Sequence, residues 1–219
     1  ILGGFLVKGR ISRMFKAREL RLQRDLKEHS KFSHLGRKRI LVAGSSGLIG
    51  TQLVAFLDTG GHDVWRLVRR EAEEGSKELS WYPDKGILNP TDIEGFDVII
   101  HLGGAGIGDK RWNNKRKKLI IDSRKDSTTL LSDTMSKLEK KPEAFIVASA
   151  IGYYGNRDDE ELTEDSPPGD GFLTETVIQW ESYADSARDA GIRVVNTRNG
   201  IVLSAAGGAL ERMLLPWKM

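Results

Sequence analysis

The sequence predicts an α/β fold: a doubly wound, mostly parallel sheet with helices on both faces. Three observations predict it. Short apolar runs alternate with longer stretches whose apolar residues recur every three or four positions, the pattern of repeated strand–helix–strand units with right-handed crossovers. A glycine-rich turn, Gly44 to Gly50, joins the first such run to the first such stretch. The composition is globular, with 219 residues, 39% hydrophobic and 30% charged, enough chain for one domain with a sizeable core.

The elements follow in order. Residues 1–39 hold 12 Lys/Arg against 3 Asp/Glu, a charge of +9, while residues 40–219 hold 22 against 28, a charge of −6. The basic balance belongs to a leader, so no nucleic-acid partner is expected from net charge. Ile1–Val7 is apolar but short, with no small-residue cleavage pattern behind it, so it is not read as a signal peptide. An opening on Ile rather than Met is read as a start inside a longer protein. Ile11, Met14, Phe15, Leu22 and Leu26 are spaced by threes and fours, which predicts an amphipathic basic helix from Ile11 to His29. It reads as a linker helix docked on a neighbouring domain, or as an arm for a membrane surface or nucleic acid. His34-Leu35-Gly36 and Arg37-Lys38-Arg39 read as a hinge. Residues 1–38 are therefore expected to be a basic linker, the tail of a preceding domain, and residues 39–219 the α/β domain.

Strands are predicted at Ile40–Ala43, Val64–Val68, Leu79–Trp81, Val98–Leu102, Phe145–Ala148 and Ile192–Thr197. Helices are predicted at Leu48–Leu57, stopped by Gly60-Gly61, at Trp112–Leu138, and at Phe172–Ala190, stopped by Gly191. The chain has no Cys, which excludes disulfides and thiolate metal sites and points to a reducing, cytoplasmic setting. The four His are scattered without ligand spacing, so no metal is expected. No apolar run approaches the ~18 residues of a membrane span.

In Gly44-Ser45-Ser46-Gly47-Leu48-Ile49-Gly50 each glycine has a physical reason. Gly44 allows the tight turn, Gly47 lets backbone approach a pyrophosphate, and Gly50 lets helix and strand pack closely. The helix then offers free N–H groups and a positive dipole end to phosphates. The alternative is a purely structural turn. The placement makes the fold a Rossmann-type doubly wound parallel sheet. The second strand ends Val68-Arg69-Arg70, where an NAD site usually carries Asp or Glu. Two guanidiniums suit a 2′-phosphate, so NADP(H) is the expected cofactor; the alternative is a solvated strand end. His101-Leu102-Gly103-Gly104-Ala105-Gly106 closes the fourth strand, where small residues let a dinucleotide approach backbone or make a flexible loop.

With these residues the chain resembles the short-chain dehydrogenase/reductase superfamily, extended or atypical branch, and within it the SulA-type nucleoside-diphosphate-sugar epimerase subgroup. The resemblance runs from about Arg39 to Met219. It rests on Gly44–Gly50, Leu102–Ala105, Asp109-Lys110-Arg111-Trp112, Ser123-Arg124, Gly152-Tyr153-Tyr154-Gly155, Glu164-Asp165-Ser166-Pro167, Trp180-Glu181, Arg198–Leu203, and Gly207-Gly208 through Pro216-Trp217. The leader, with Phe15, Arg18, Leu22, Asp25 and His29, is similar to the linker of two-domain members in which a lipid-cavity-like domain comes first. The resemblance implies NADP(H) on the glycine loop, with Arg69 and Arg70 at the adenosine phosphate. It also implies Leu102 and Gly103 beside the ribose, Arg124 on a helix facing the cofactor, and Val202 after the sixth strand. Family members continue into a substrate-capping region, so the domain is read as truncated before it.

The family's catalytic set is a Ser plus a Tyr four residues before a Lys. No Tyr here (Tyr82, Tyr153, Tyr154, Tyr183) has Lys four residues on, and the family positions fall near Leu173 and Val177. Near the expected centre stand Ser149, to hold a substrate carbonyl or to bond neighbouring backbone, and Tyr153 and Tyr154, as alternative proton donors or packing aromatics. Lys110, Arg111 and Trp112 follow the glycine-rich loop, either as a clamp for an anionic or planar substrate or as a basic helix start. Asp158–Asp165 holds six carboxylates and reads as a solvated loop or as an edge of the cleft. Two functions are expected from these signals. One is an NADP(H)-dependent epimerase or oxidoreductase-like enzyme acting on a small molecule such as a nucleotide-sugar. The other is a catalytically silent NADP(H)-binding sensor or interaction module.

Overall fold

The computed structural model of the chain describes residues 2–214. Pro216-Trp217, part of the family resemblance, lie outside the described residues. Strands β1 (Arg39–Ala43), β2 (Asp63–Val68), β3 (Glu78–Ser80), β4 (Val98–His101), β5 (Ala144–Ala150) and β6 (Arg193–Asn199) form one sheet in the order β3-β2-β1-β4-β5-β6. Every neighbouring pair in it is parallel. The chain runs outward from β1 through β2 to β3, then crosses back to place β4 on the far side of β1. Strand order therefore reverses between β1 and β4, and a crevice opens at their carboxyl ends.

Helices α1 (Leu2–Phe32), α2 (Leu48–Thr59), α3 (Pro90–Ile93), α4 (Asn114–Ser136), α5 (Phe172–Ser182) and α6 (Asp185–Asp189) complete the framework. Alternation along β1 sorts the core. Ile40 and Val42 face α2, packing with Val54, Val64 and Ile100. Leu41 and Ala43 face the other side, with Ile99, Phe145, Leu131, Met135 and Trp180. Both faces are covered, which is why the central strands read as continuous apolar runs. Leu41 is 0% exposed, and Leu41→Ala would cost about 2–5 kcal/mol.

The basic helix is longer than its apolar spacing predicted: it runs through Gly3, Gly4 and Gly9 on its N-terminal side, against their low helix propensity. It docks at its end: the His29 ring stacks on Phe56 of α2 at 4.2 Å, and Arg21 donates to Gln52 at 3.0 Å. Val7, Ile11, Met14, Phe15, Leu22 and Leu26 stay exposed. The single helix expected over Phe172–Ala190 is two. The Ala187 N–H donates to Ser132 Oγ of α4 at 2.8 Å, and Ser186 donates to Asp133 at 2.6 Å; these bonds to α4 redirect the chain. After β6, strands β7 (Leu203–Ser204) and β8 (Gly207–Gly208) form an antiparallel hairpin leading into α7 (Ala209–Met213), elements too short to leave a periodicity.

Candidate functional site

The crevice is built on bare backbone. Gly44 follows β1 at φ +83, and a Cβ there would sit 2.9 Å from both Gly103 N and the Leu102 carbonyl carbon. The loops after β1 and β4 thus meet without side chains between them. A Cβ on Gly50 would fall 2.8 Å from Ser45 Cα, so the first turn of α2 needs a glycine to lie on the strand. Gly47 is the N-cap at an ordinary φ of −75, and no side chain caps α2. Its first-turn N–H groups are left to solvent or a ligand, at the positive end of the helix. Around them Ser45 is buried, Ser46 and Ile49 are exposed, and Leu48 is half-buried. The β7–β8 hairpin leans on the same turn. Gln52 donates to Ser204 Oγ at 3.1 Å, and a Cβ on Gly208 would meet Leu48 Cδ2 at 2.8 Å. Val202, 37% exposed, lies just before the hairpin.

The two arginines after β2 differ. Arg70 is tied down: it makes a bidentate pair with Glu78 of β3 at 2.9 and 3.0 Å, a contact to Glu73 at 3.4 Å and a bond to Glu71 O at 2.9 Å. Desolvation pushes the Glu78 carboxyl up, and the Arg70 hydrogen bond with the Glu73 N–H overcomes this, holding it below the usual carboxylate range. Arg69 is exposed and has no ion pair or side-chain hydrogen bond among the described residues.

The β4 loop is held from below. His101 is 0% exposed. Its Nδ1 accepts from the Gly103 N–H at 3.4 Å and its Nε2 lies 2.9 Å from Ser127 Oγ, a pattern that assigns the proton to Nε2. Burial, with Arg124 adding to it, pushes its pKa down to about 3, so the ring is a neutral post under the loop. Ser123 Oγ accepts from the Ala105 N–H at 3.0 Å, and Arg124 donates to Ala105 O at 3.1 Å. The Arg124 guanidinium lies 4.6 Å from the Trp180 ring centroid. Burial and then the Arg116 charge pull its pKa down to about 10. No carboxylate pairs with it among the described residues, which leaves an uncompensated cation beside the crevice.

Ser149, Tyr153 and Tyr154 are brought together, but around a charged pair to which the sequence reading gave no role. Ser149 Oγ donates to Glu181 Oε1 at 2.5 Å. Arg198, opposite Ser149 in the β5–β6 register, grips both Glu181 oxygens at 2.9 and 3.0 Å. It also donates to the Tyr154 hydroxyl at 2.9 Å, and its guanidinium lies 3.5 Å from the Tyr153 ring centroid. The Glu181 bonds raise the Arg198 pKa. Ser149 and Tyr154 are 4% and 8% exposed. The Ser149 hydroxyl thus bonds a carboxylate from α5, which is neither of the two partners expected. Lys110, Arg111 and Trp112 lie exposed on the connection from β4 to α4. All six carboxylates of Asp158–Asp165 are exposed, as a solvated loop requires.

The sequence model of the NAD dependent epimerase/dehydratase family matches residues 40–216. The chain belongs to that family. It is 41% identical over 174 residues to an epimerase family protein of Mycobacterium bovis, covering 80% of this chain and 57% of the relative. Among solved structures, the nucleoside-diphosphate sugar epimerase from Corynebacterium glutamicum is similar at TM-score 0.83 and 36% identity, covering 94% of this chain and 43% of that one. Human epimerase family protein SDR39U1, crystallised with NADPH, is similar at TM-score 0.70 and 33% identity, covering 82% and 59%. The chain spans 57% of the length of the Mycobacterium relative.

Within this epimerase-family fold, Leu173 and Val177, where the resemblance puts Tyr and Lys, flank Gly152 just past β5: a Cβ on Gly152 would lie 3.4 Å from Leu173 Cβ and 3.9 Å from Val177 Cγ2. Both are apolar. Glu181 and Arg198 stood in the sequence only as members of the Trp180-Glu181 and Arg198–Leu203 segments, with no spacing that ties one to the other.

Proposed function

We propose that this epimerase-family chain binds NADP(H) across the β1–β4 crevice and acts as an epimerase or oxidoreductase-like enzyme on a small molecule, in the cytoplasm. The observation that carries the reading is the side-chain-free contact of Gly44 with Leu102 and Gly103, beside an uncapped helix start and an unpaired Arg69. The pyrophosphate fits the N–H groups of Leu48 and Ile49, with Gly47 bonded back to Gly44 O to shape the turn and Ser45 and Ser46 at the turn. Arg69 takes the 2′-phosphate, and Arg70, fixed to Glu78, shapes the strand end behind it. Leu102, Gly103 and Val202 border the ribose and nicotinamide side. Arg124 supplies positive charge there, and neutral His101 holds the loop in place. NADPH in the human SDR39U1 structure supports the cofactor assignment. A bound nicotinamide supplies or accepts hydride; this chain's residues orient it and keep its phosphates paired.

A second reading, a silent NADP(H) sensor or interaction module, is favoured by one observation. The Ser149 hydroxyl donates its proton to Glu181 and the Tyr154 oxygen is held by Arg198, so the serine proton is committed inside the charged pair. Incubation with NADPH deuterated at the transferable hydrogen and a metabolite mixture separates the two. Label in any product supports the enzyme, and tight NADPH binding without label transfer supports the sensor. We read residues 1–38 as a linker from a preceding, lipid-cavity-like domain and 39–219 as the dinucleotide domain. The Corynebacterium structure is more than twice the matched length, since the match takes only 43% of it, which leaves room in such a relative for a further domain.

A further inference from the structure

Arg124 is held rigidly at the floor of the crevice. Its Nη1 donates to Ile120 O at 2.9 Å, within α4, and to Ala105 O at 3.1 Å, in the loop that closes β4. A Cβ on Gly104 would lie 3.2 Å from Arg124 Cζ, so the loop backbone rests directly on the guanidinium. Trp180 of α5 forms the wall beside it, with its ring centroid 4.6 Å from Cζ. The indole is itself fixed, because its N–H donates to Thr128 Oγ1 at 3.1 Å. The charges nearby leave this cation uncancelled. Arg116, whose charge acts on Arg124, is paired with Asp109 at 3.1 Å. Glu181, next to Trp180 on α5, is gripped by Arg198. His101 is buried and neutral.

The place of the cation matters as much as its charge. Leu173, Val177 and Trp180 follow at spacings of four and three, so they share one face of α5. The resemblance puts Tyr and Lys at the first two of these positions, and both are apolar here. The guanidinium lying on the third therefore brings a positive charge from α4 to the α5 face that lacks its lysine, within one turn of Val177.

We infer that Arg124 makes the crevice select the reduced coenzyme, NADPH, over NADP+. The inference deepens the proposed function, and it rests on that reading for a nicotinamide beside the β4 loop. The reduced ring is neutral and the oxidised ring carries a positive charge, while both forms carry the same phosphates and riboses. A fixed cation near the ring therefore acts on the one feature that separates them. Two unit charges about 8 Å apart, at an effective dielectric constant of about 20, repel enough to shift a binding equilibrium about 30-fold. Screening in an open crevice lowers this to about tenfold. A tenfold preference for the reduced form raises the two-electron potential of the bound couple by about 30 mV.

The test titrates the full chain calorimetrically with NADPH and with NADP+ at one salt concentration. The parent should bind NADPH about tenfold or more tightly than NADP+, a comparison that needs no substituted protein. Arg124→Gln keeps an amide to donate to Ala105 O but loses the charge, and it should bring the two affinities within about threefold of each other. Arg124→Lys keeps the charge and should retain most of the preference. Arg69→Ala should weaken both forms by the same factor, because both carry the 2′-phosphate. Equal affinities in the parent overturn the inference and leave the cofactor reading standing. A preference undiminished in Arg124→Gln also overturns it, since the selection then comes from another group. Binding of neither form ends the cofactor reading and this inference with it.

Discussion

Arg69→Ala should separate the two pyridine dinucleotides. Arg69 is exposed and unpaired among the described residues, so its removal takes nothing from the fold. Paired, charge-assisted hydrogen bonds from a guanidinium to a phosphate are worth about 1.5–3 kcal/mol. That is a loss of roughly 10- to 150-fold in NADPH affinity. NADH lacks the 2′-phosphate, and its affinity should change less than about twofold. The neighbouring arginine is the internal control. Arg70 is bound to Glu78, Glu73 and the Glu71 carbonyl, so Arg70→Ala should lower thermal stability, let the Glu78 carboxyl rise toward its ordinary value, and discriminate less between the dinucleotides. Fluorescence titration of both coenzymes at one fixed low salt, where phosphate contacts are least screened, reads all of this. Equal weakening of NADPH and NADH by Arg69→Ala refutes the 2′-phosphate role. A loss of NADPH affinity in Arg70→Ala that spares NADH would mean that the phosphate takes Arg70 from Glu78.

The glycines should divide into two kinds. Gly47→Val places its Cβ 3.3 Å from Gly44 O at an ordinary φ, so the melting temperature should hold while NADPH binding disappears. Gly50→Ala drives a Cβ onto Ser45 Cα and should cost about 1–3 kcal/mol of stability as well; a Gly47→Val that melts early would reverse this reading. Ser149→Ala should lower stability by about 1–2 kcal/mol in denaturant, through the lost bond to Glu181, and leave NADPH affinity intact. A large loss of affinity would return Ser149 to the ligand site. His101 has a folded pKa of about 3 against about 6.5 unfolded, so its contribution is full above about pH 6.5 and drains at about 1.4 kcal/mol per unit as pH falls toward 3. His101→Asn should flatten the denaturation midpoint between about pH 6 and 4; an unchanged acid slope would show that the ring is not buried neutral.

What the sequence made legible was local. The apolar run of β1, the turn at Gly44–Gly50 and the helix behind it are contiguous, and each residue's role follows from its own stereochemistry. The hidden features pair residues far apart in the chain. Past the break between α5 and α6, the first-turn N–H of Ala187 finds its acceptor on Ser132, 55 positions away. Arg69 and Arg70 look interchangeable until β3 brings Glu78 beside one of them. Ser149 is the sharpest case, because a period-two argument already contained the answer. Phe145 and Val147 lie on the face of β5 that packs under the helices, and a strand alternates, so Ser149 must point to that same face. There it meets Glu181 from α5 and Arg198 from β6. A residue near the expected reaction centre thus has its hydroxyl proton committed to a carboxylate of α5, the helix that carries the family's Tyr and Lys positions.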